Sequence, residues 1–365
     1  MLFWCVLSCV SFTISIIMLF CKDIYRKWII YLYILYIGGI SAFRYMIGTD
    51  YYQYCVIWQQ WENNWDFELF AGHEPVFDVI LQSLKATGFE TQSLFFVYTL
   101  LTFAILYRAI KFFFKGNIEI FFAWLCYAMC LDGFWFSMNG IRQALAMAIM
   151  LYVSRYVVEK KLINFIFGCL LASLCHYSSL LFVFMYFIPI EKVCIKKILL
   201  FMIVGAGIAL SGIADKMIES IAVMLIGDNE VIGKYLVYLG AESRVLVAPY
   251  YNALIILLYA ILIKNNCDHK MIFILNMSAV YVFFFFVFNM GEFIRVRQGV
   301  VLYYILLNAS LISILYKRYK MHLALLIIIA MMCSNFAYRI YEYGNITSIT
   351  PSGSNIEYMT NFNLY

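Results

Sequence analysis

The chain has 365 residues, of which 65% are hydrophobic, 19% aromatic and only 13% charged, with a mean hydropathy of +0.86. A soluble domain carries roughly 45–50% apolar and about 25% charged residues, so water is not the main solvent of this protein. The formal net charge of +5 does not point to nucleic acid, because the lysines and arginines punctuate apolar runs and form no patch interleaved with exposed aromatics.

In hydrocarbon every backbone N–H and C=O has to be satisfied within the chain, which leaves helices or a closed barrel. A barrel is built from alternating segments of about 10 residues. Here the apolar runs are continuous, as in 271–287 and 323–332. The expected fold class is all-α, a polytopic integral membrane protein. Spanning takes about 20 apolar residues. In chain order the candidate segments are 2–21, 28–47, 92–110, 118–136, 138–157, 160–175, 177–191, 197–213, 248–263, 271–290, 298–316 and 321–340, about twelve transmembrane helices. The run 160–191 is divided at Cys175–His176, where Ser173, His176, Ser178 and Ser179 interrupt it, and its short halves read as two spans or a re-entrant pair. Residues 1–21 have neither a basic start nor a small-residue cleavage site, so they are expected to be a first anchor and not a cleaved signal.

Basic residues assign the faces. Connections carrying Lys22, Arg26, Lys27, Arg108, Lys111, Lys115, Arg155, Lys160, Lys161, Lys192, Lys196, Lys197, Lys264, Lys270, Lys317, Arg318 and Lys320 hold 17 of the 26 basic residues with 5 acids, and the opposite side holds 9 basic residues with 16 acids. The basic side is assigned to the cytoplasm, which puts both termini outside. Two sizeable periplasmic loops follow, 48–91 and 215–247, within a single integral membrane domain, 1–365. The first loop includes an amphipathic piece, 76–84, expected to lie along the interface. Most of the 11 cysteines sit inside apolar segments and read as small core residues.

Four constellations carry chemistry. The first joins Arg44 to Gly48-Thr49-Asp50-Tyr51-Tyr52-Gln53-Tyr54. A carboxylate flanked by tyrosines suits sugar binding; the plainer reading is an interfacial aromatic belt with a helix-capping Asp. The second is Ser137-Met138-Asn139-Gly140-Ile141-Arg142-Gln143, where Asn139, Arg142, Gln143 and Ala146 fall on one helical face. An intramembrane arginine costs about 2.5–3.5 kcal/mol at a helix centre and usually faces a cavity or partner; snorkelling is the alternative. The third is His176 among serines, a setting that more often holds a hydrogen-bonded packing histidine than a catalyst, with no Gly-x-Ser-x-Gly frame for a serine nucleophile. The fourth is Glu292-Phe293-Ile294-Arg295-Val296-Arg297, either a phosphate-binding pair of arginines or a local ion pair with one snorkelling arginine. No metal-ligand set and no cofactor motif is found: His73, His269 and His322 are distant from His176, and neither a Walker-type loop nor a dinucleotide fingerprint occurs. Asp50, Arg142, His176, Arg295 and Arg297 all fall on the outer face, and arginines beside an acid or histidine suit a reaction with a phosphate leaving group.

At these residues the chain resembles bacterial polysaccharide polymerases of the Wzy type, in their EpsG-like branch. The likeness rests on Gly48–Tyr54, on Met138-Asn139-Gly140-Ile141-Arg142-Gln143-Ala144-Leu145-Ala146, on Cys175-His176-Tyr177-Ser178-Ser179-Leu180 and on Arg295-x-Arg297, in order over roughly residues 40–310. The resemblance implies an inner-membrane, metal-independent glycosyltransferase that polymerises undecaprenyl-pyrophosphate-linked oligosaccharide units into O-antigen or a related surface polysaccharide on the periplasmic face. It carries catalytic roles onto Asp50, His176 and Arg142 and phosphate contacts onto Arg295 and Arg297. The acceptor hydroxyl needs a base, for which Asp50 or His176 is the candidate. Arg44, Tyr51, Tyr54, Asn139 and Gln143 are candidate substrate contacts from their place in the first two constellations. Membrane lipid and a chain-length regulator protein are the further expected partners. The competing readings are a lipid-linked oligosaccharide flippase, which would spread polar residues through the midplane, and a membrane acyltransferase using His176.

Overall fold

Backbone groups in an apolar solvent find partners most readily one turn away in the same helix, and the computed structural model is built accordingly. It describes residues 2–48, 50–61, 74–213, 216, 248–265, 268–288, 294–347 and 359–360, and within these there are sixteen α-helices. The first unit comprises residues 1–183 and 308–365 and the second 184–307.

In the first unit, α1 (Leu2–Phe20) and α2 (Asp23–Ala42) precede a short strand, β1 (Arg44–Tyr45), which pairs antiparallel with β2 (Met359–Thr360). Two helices then occupy what the sequence offered as a loop, α3 (Tyr51–Gln60) and α4 (Pro75–Ala86); the 62–73 part of that loop lies outside the described residues. The amphipathic piece is α4, whose Phe77 and Leu81 are fully buried and which packs on α5 (Gln92–Phe113) and α10 (Leu162–Cys175). Next along the chain come α6 (Asn117–Ala128), a π-helical turn (Leu131–Trp135), α7 (Phe136–Asn139), α8 (Ile141–Val153) and α9 (Arg155–Val158). α8 lies between α5 and α10 and is buried on nearly every side, as an all-round apolar helix has to be. A 3-10 helix (Tyr177–Phe187) follows His176, whose backbone is extended, so the chain does break at Cys175–His176. Eleven residues at about 2.0 Å each fall short of a bilayer core of roughly 30 Å.

The second unit contains α11 (Ile195–Ser211), α12 (Ala248–Leu262), α13 (His269–Val287) and α14 (Ile294–Gln298). α13 is its centre, with α11, α12 and α14 packed on it. Phe201 stacks on Phe283 at 4.3 Å between ring centroids. α15 (Val301–Lys317) and the 3-10 helix each contain a division between the units, and α16 (His322–Thr347) belongs to the first unit and packs on α1. The 215–247 loop lies outside the described residues apart from Lys216.

All twelve expected segments overlap helices, though length and composition qualify fewer of the described helices as full spans on their own. Five described helices are long and apolar enough to cross a membrane: Leu2–Phe20, Gln92–Phe113, Ile141–Val158, His269–Val287 and His322–Tyr341. A sixth is the pair Asn117–Ala128 and Leu131–Asn139, bent by 73°, if it counts as one span. Leu162–Cys175, Tyr177–Phe187, Ala248–Leu262 and Val301–Lys317 are apolar but shorter. In the first unit, breaks at Asp132, Gly140 and His176 cut apolar runs short.

Small residues let the helices approach. A Cβ on Gly168 of α10 would overlap both Cγ atoms of Val153 on α8. Gly168→Ala is expected to lower stability by about 1–3 kcal/mol through overpacking, read as a lower thermal midpoint of the purified protein in detergent, with recovery in Gly168→Ala/Val153→Ala.

Candidate active site

The end of α2, the start of α5, the start of α8 and the end of α10 come together at one end of the first unit. Gln92 Nε2 donates to the carbonyl oxygens of Ala42 (2.5 Å) and Arg44 (3.3 Å), joining α5 to the end of α2. Arg44 is fully buried, donates to the carbonyls of Ser41 (2.5 Å) and Met138 (2.7 Å), and lies 4.6 Å over the ring of Phe95. The arginine expected to bind substrate therefore stands behind the site, where it ties two helix ends whose last carbonyls lack intrahelical partners.

Asp50 opens α3 as its N-cap residue without a side-chain capping bond. Its backbone N–H donates to Asn139 Oδ1 at 2.9 Å. Gly48 makes this possible: its φ is +94°, and a Cβ there would come within 3.0 Å of the same Asn139 oxygen. Asn139 thus holds the Gly48–Asp50 turn. Tyr51 and Tyr54 were expected to offer ring faces to sugar. Both are buried. Tyr51 stacks on Phe95 at 4.5 Å, and Tyr54 packs on Phe77 at 5.8 Å and Phe95 at 6.1 Å. α3 is short and presents this face to the protein, and the exposed member of the set is Tyr52.

The single helical face expected for Asn139, Arg142, Gln143 and Ala146 is also corrected. Gly140 has φ −91° and ψ +67°, which ends α7 and starts α8 afresh. Asn139 is turned to Asp50, Gln143 is buried, and Arg142 sits in the first turn of α8. A cation there opposes the helix dipole and needs a counter-charge.

Glu74 supplies it. One carboxylate oxygen accepts from Arg142 Nη1, and the other lies 2.5 Å from His176 Nδ1. Glu74 immediately precedes Pro75, the first residue of α4, where an anion is favoured by the dipole and proline by its fixed φ. Its side chain is 6% exposed, against 24% for Arg142 and 18% for His176. Glu74 is therefore the floor of the site, and Arg142 and His176 are its open side. Phe77 (5.1 Å) and Tyr54 (5.8 Å) place their rings against the Arg142 guanidinium. With Nδ1–H donating to Glu74, the histidine lone pair is on Nε2.

Burial works against the Glu74 charge, but the His176 bond and the Arg142 charge outweigh it, so its carboxyl titrates below the ordinary glutamate value of 4.5. Burial pushes the Tyr54 hydroxyl up, with Arg142 opposing, so Tyr54 stays neutral.

Glu74 figured in none of the expected constellations. Its signal was a glutamate directly before the proline that opens the amphipathic helix α4, a helix-start signature, hidden among the other acids of 48–91. Arg295 and Arg297 lie on α14 in the second unit, where Arg297 is buried and 4.1 Å over the Phe285 ring. Glu292 lies outside the described residues.

A family model described as the EpsG family matches residues 27–358. The chain belongs to the EpsG family. No curated protein and no solved structure matches it. EpsG membership supports a polymerase-type role in exopolysaccharide or O-antigen production in general. The matched stretch includes Arg44, Asp50, Glu74, Arg142, His176, Arg295 and Arg297, so in this EpsG-family chain the site lies within the family's own region.

The lowered Glu74 pKa has a definite sign. Its stabilising contribution is whole above about pH 4.5 and is lost as pH falls through the native value. Thermal unfolding in detergent is expected to show the wild type losing stability below that pH, with a flatter profile for Glu74→Gln. Removing one partner of a buried ion pair costs about 3–5 kcal/mol, so Glu74→Gln is also expected to unfold earlier at neutral pH.

Proposed function

We propose that this chain polymerises undecaprenyl-pyrophosphate-linked oligosaccharide units into a surface polysaccharide at the periplasmic face of the inner membrane. The observation that carries the reading is one buried carboxylate, Glu74, holding a guanidinium and an imidazole side by side. Those groups suit a transfer from a diphosphate leaving group, the imidazole to take the acceptor's proton and the guanidinium to meet the departing charge.

In the proposed step the acceptor sugar gives its hydroxyl proton to Nε2 of His176. Its oxygen attacks the anomeric carbon of the donor unit, a glycosidic C–O bond forms, and the bond from that carbon to the diphosphate breaks. The electron pair leaves with the diphosphate, whose growing charge Arg142 meets. Glu74 keeps the Nδ1 proton in place and balances the imidazolium that forms, the orienting role that generalises from nucleophile–base–acid sets. His176 is preferred to Asp50 as base because Glu74 orients it. Asp50, at the mouth of α3, is assigned to the acceptor's hydroxyls. Tyr54 and Arg44 act by positioning Arg142 and the Asn139 segment. Arg295 and Arg297 rest on the family resemblance alone as phosphate contacts.

The test is the surface-polysaccharide ladder of a strain carrying variants at matched expression. Arg142→Ala is expected to lower the polymerisation rate about 10²–10³-fold, the loss typical of an oxyanion donor. His176→Ala is expected to abolish long chains, and Asp50→Ala to retain some. Single units should still reach the surface in every case, whereas loss of a transporter would trap them inside. A ladder of normal length and yield from His176→Ala or Arg142→Ala would overturn the assignment.

A further inference from the structure

At the opposite, basic end of the first unit two helices carry the same pair of residues in reverse order. α2 has Lys27 and Tyr31, and α5 has Tyr107 and Lys111. Each pair is one turn apart and so shares a helix face. α2 and α5 pack on one another, and because they run in opposite directions the reversal brings the tyrosines together with both lysines toward the same end. The tyrosine hydroxyls are 3.2 Å apart and their ring centroids 6.0 Å apart. Lys27 Nζ lies 5.8 Å from the Tyr31 ring, and Lys111 Nζ lies 5.4 Å from the Tyr107 ring. Trp28 joins the edge of the cluster, 6.3 Å from Tyr31 and 66% exposed, as expected of an indole at a membrane–water boundary.

The cluster has more donors than acceptors. The Tyr31 oxygen accepts from Tyr107 and interacts with Lys27, and Lys111 adds its charge to the same hydroxyl. That leaves the Tyr31 O–H as a donor beside two ammonium groups, each with three N–H bonds. Among the described residues neither lysine forms an ion pair, in contrast to their neighbour Arg26, which pairs with Asp23. Two cations and a hydroxyl donor at the end of a helix pair fit a tetrahedral oxyanion at headgroup depth, and lysine stems reach that depth readily.

We propose that Lys27, Tyr31, Tyr107 and Lys111 form a binding site for the phosphate of an anionic phospholipid headgroup. It lies at the other end of the unit from Glu74 and does not depend on the polymerase reading. Basic pockets between spanning helices bind such headgroups, and each lysine near an anionic surface contributes about 1 kcal/mol, roughly fivefold in affinity.

The experiment is native mass spectrometry of the full-length protein released from micelles containing equal amounts of phosphatidylglycerol and phosphatidylcholine. Wild type is expected to retain phosphatidylglycerol preferentially. Lys27→Gln/Lys111→Gln should lose about fivefold of that preference per lysine, while Lys22→Gln/Lys115→Gln, which removes equal charge nearby, should keep it. Tyr31→Phe/Tyr107→Phe leaves every charge in place and should still cost about tenfold, the worth of one hydrogen bond to a charged group. Equal losses from both lysine pairs, or no loss from the tyrosine pair, would reduce the cluster to a general cationic anchor and overturn the proposal. Displacement of the lipid by inorganic phosphate alone would overturn it too, by making the ligand a free anion.

Discussion

A carboxylate removed from water loses hydration worth several kcal/mol even after the protein relaxes around it. Glu74, at 6% exposure, recovers that loss only if cations or strong donors meet both of its oxygens. Arg142 and His176 do so from two different helices, α8 and α10. The constraint reaches outward from there. α4 has to lie across α5 and α10 so that its first turn can deliver Glu74, and Phe77 and Leu81 hold it there. α8 has to begin at Gly140, because an unbroken helix from Phe136 would carry Asn139 away from Asp50.

The same constraint shapes the chemistry. A guanidinium left alone in a low dielectric would be costly, and a histidine left alone would be free to take either tautomer. Bridged by one acid, the arginine is fixed between two aromatic rings and the imidazole is set with Nε2 as its acceptor. Arg142 and His176 remain partly open while their shared partner is closed off. In the proposed step, that arrangement lets a substrate reach Arg142 and His176 without disturbing the residue that orients them.

Charge also divides the first unit end from end. The Glu74 site gathers where α2 and α10 end and where α5 and α8 begin, while Lys27, Lys111, Arg155 and Lys160 gather at the other ends of those helices. Helices that alternate in direction turn a repeated sequence signal, basic residues at every second connection, into a chemical difference between the two rims. The reversed Lys–Tyr and Tyr–Lys pairs of α2 and α5 are a local instance of the same geometry.

Composition and unbroken apolar runs sufficed to determine a helical membrane protein, because lipid leaves the backbone few alternatives. They also placed Asp50, Arg142 and His176 on one side of it, and the break at Cys175–His176 was legible in the serines and histidine that interrupt the run. Which polar residues touch was not legible. Arg44 and Arg142 look alike in sequence, each beside an outer helix end, yet one is spent on backbone carbonyls and the other on a carboxylate. Tyr51 and Tyr54 read as sugar platforms until α3 turns them inward. Glu74 is 68 residues from Arg142 and 102 from His176, separations at which periodicity carries no information. Only the packing of α4 over α5 and α10 decides that this acid is taken out of water and is therefore obliged to find partners.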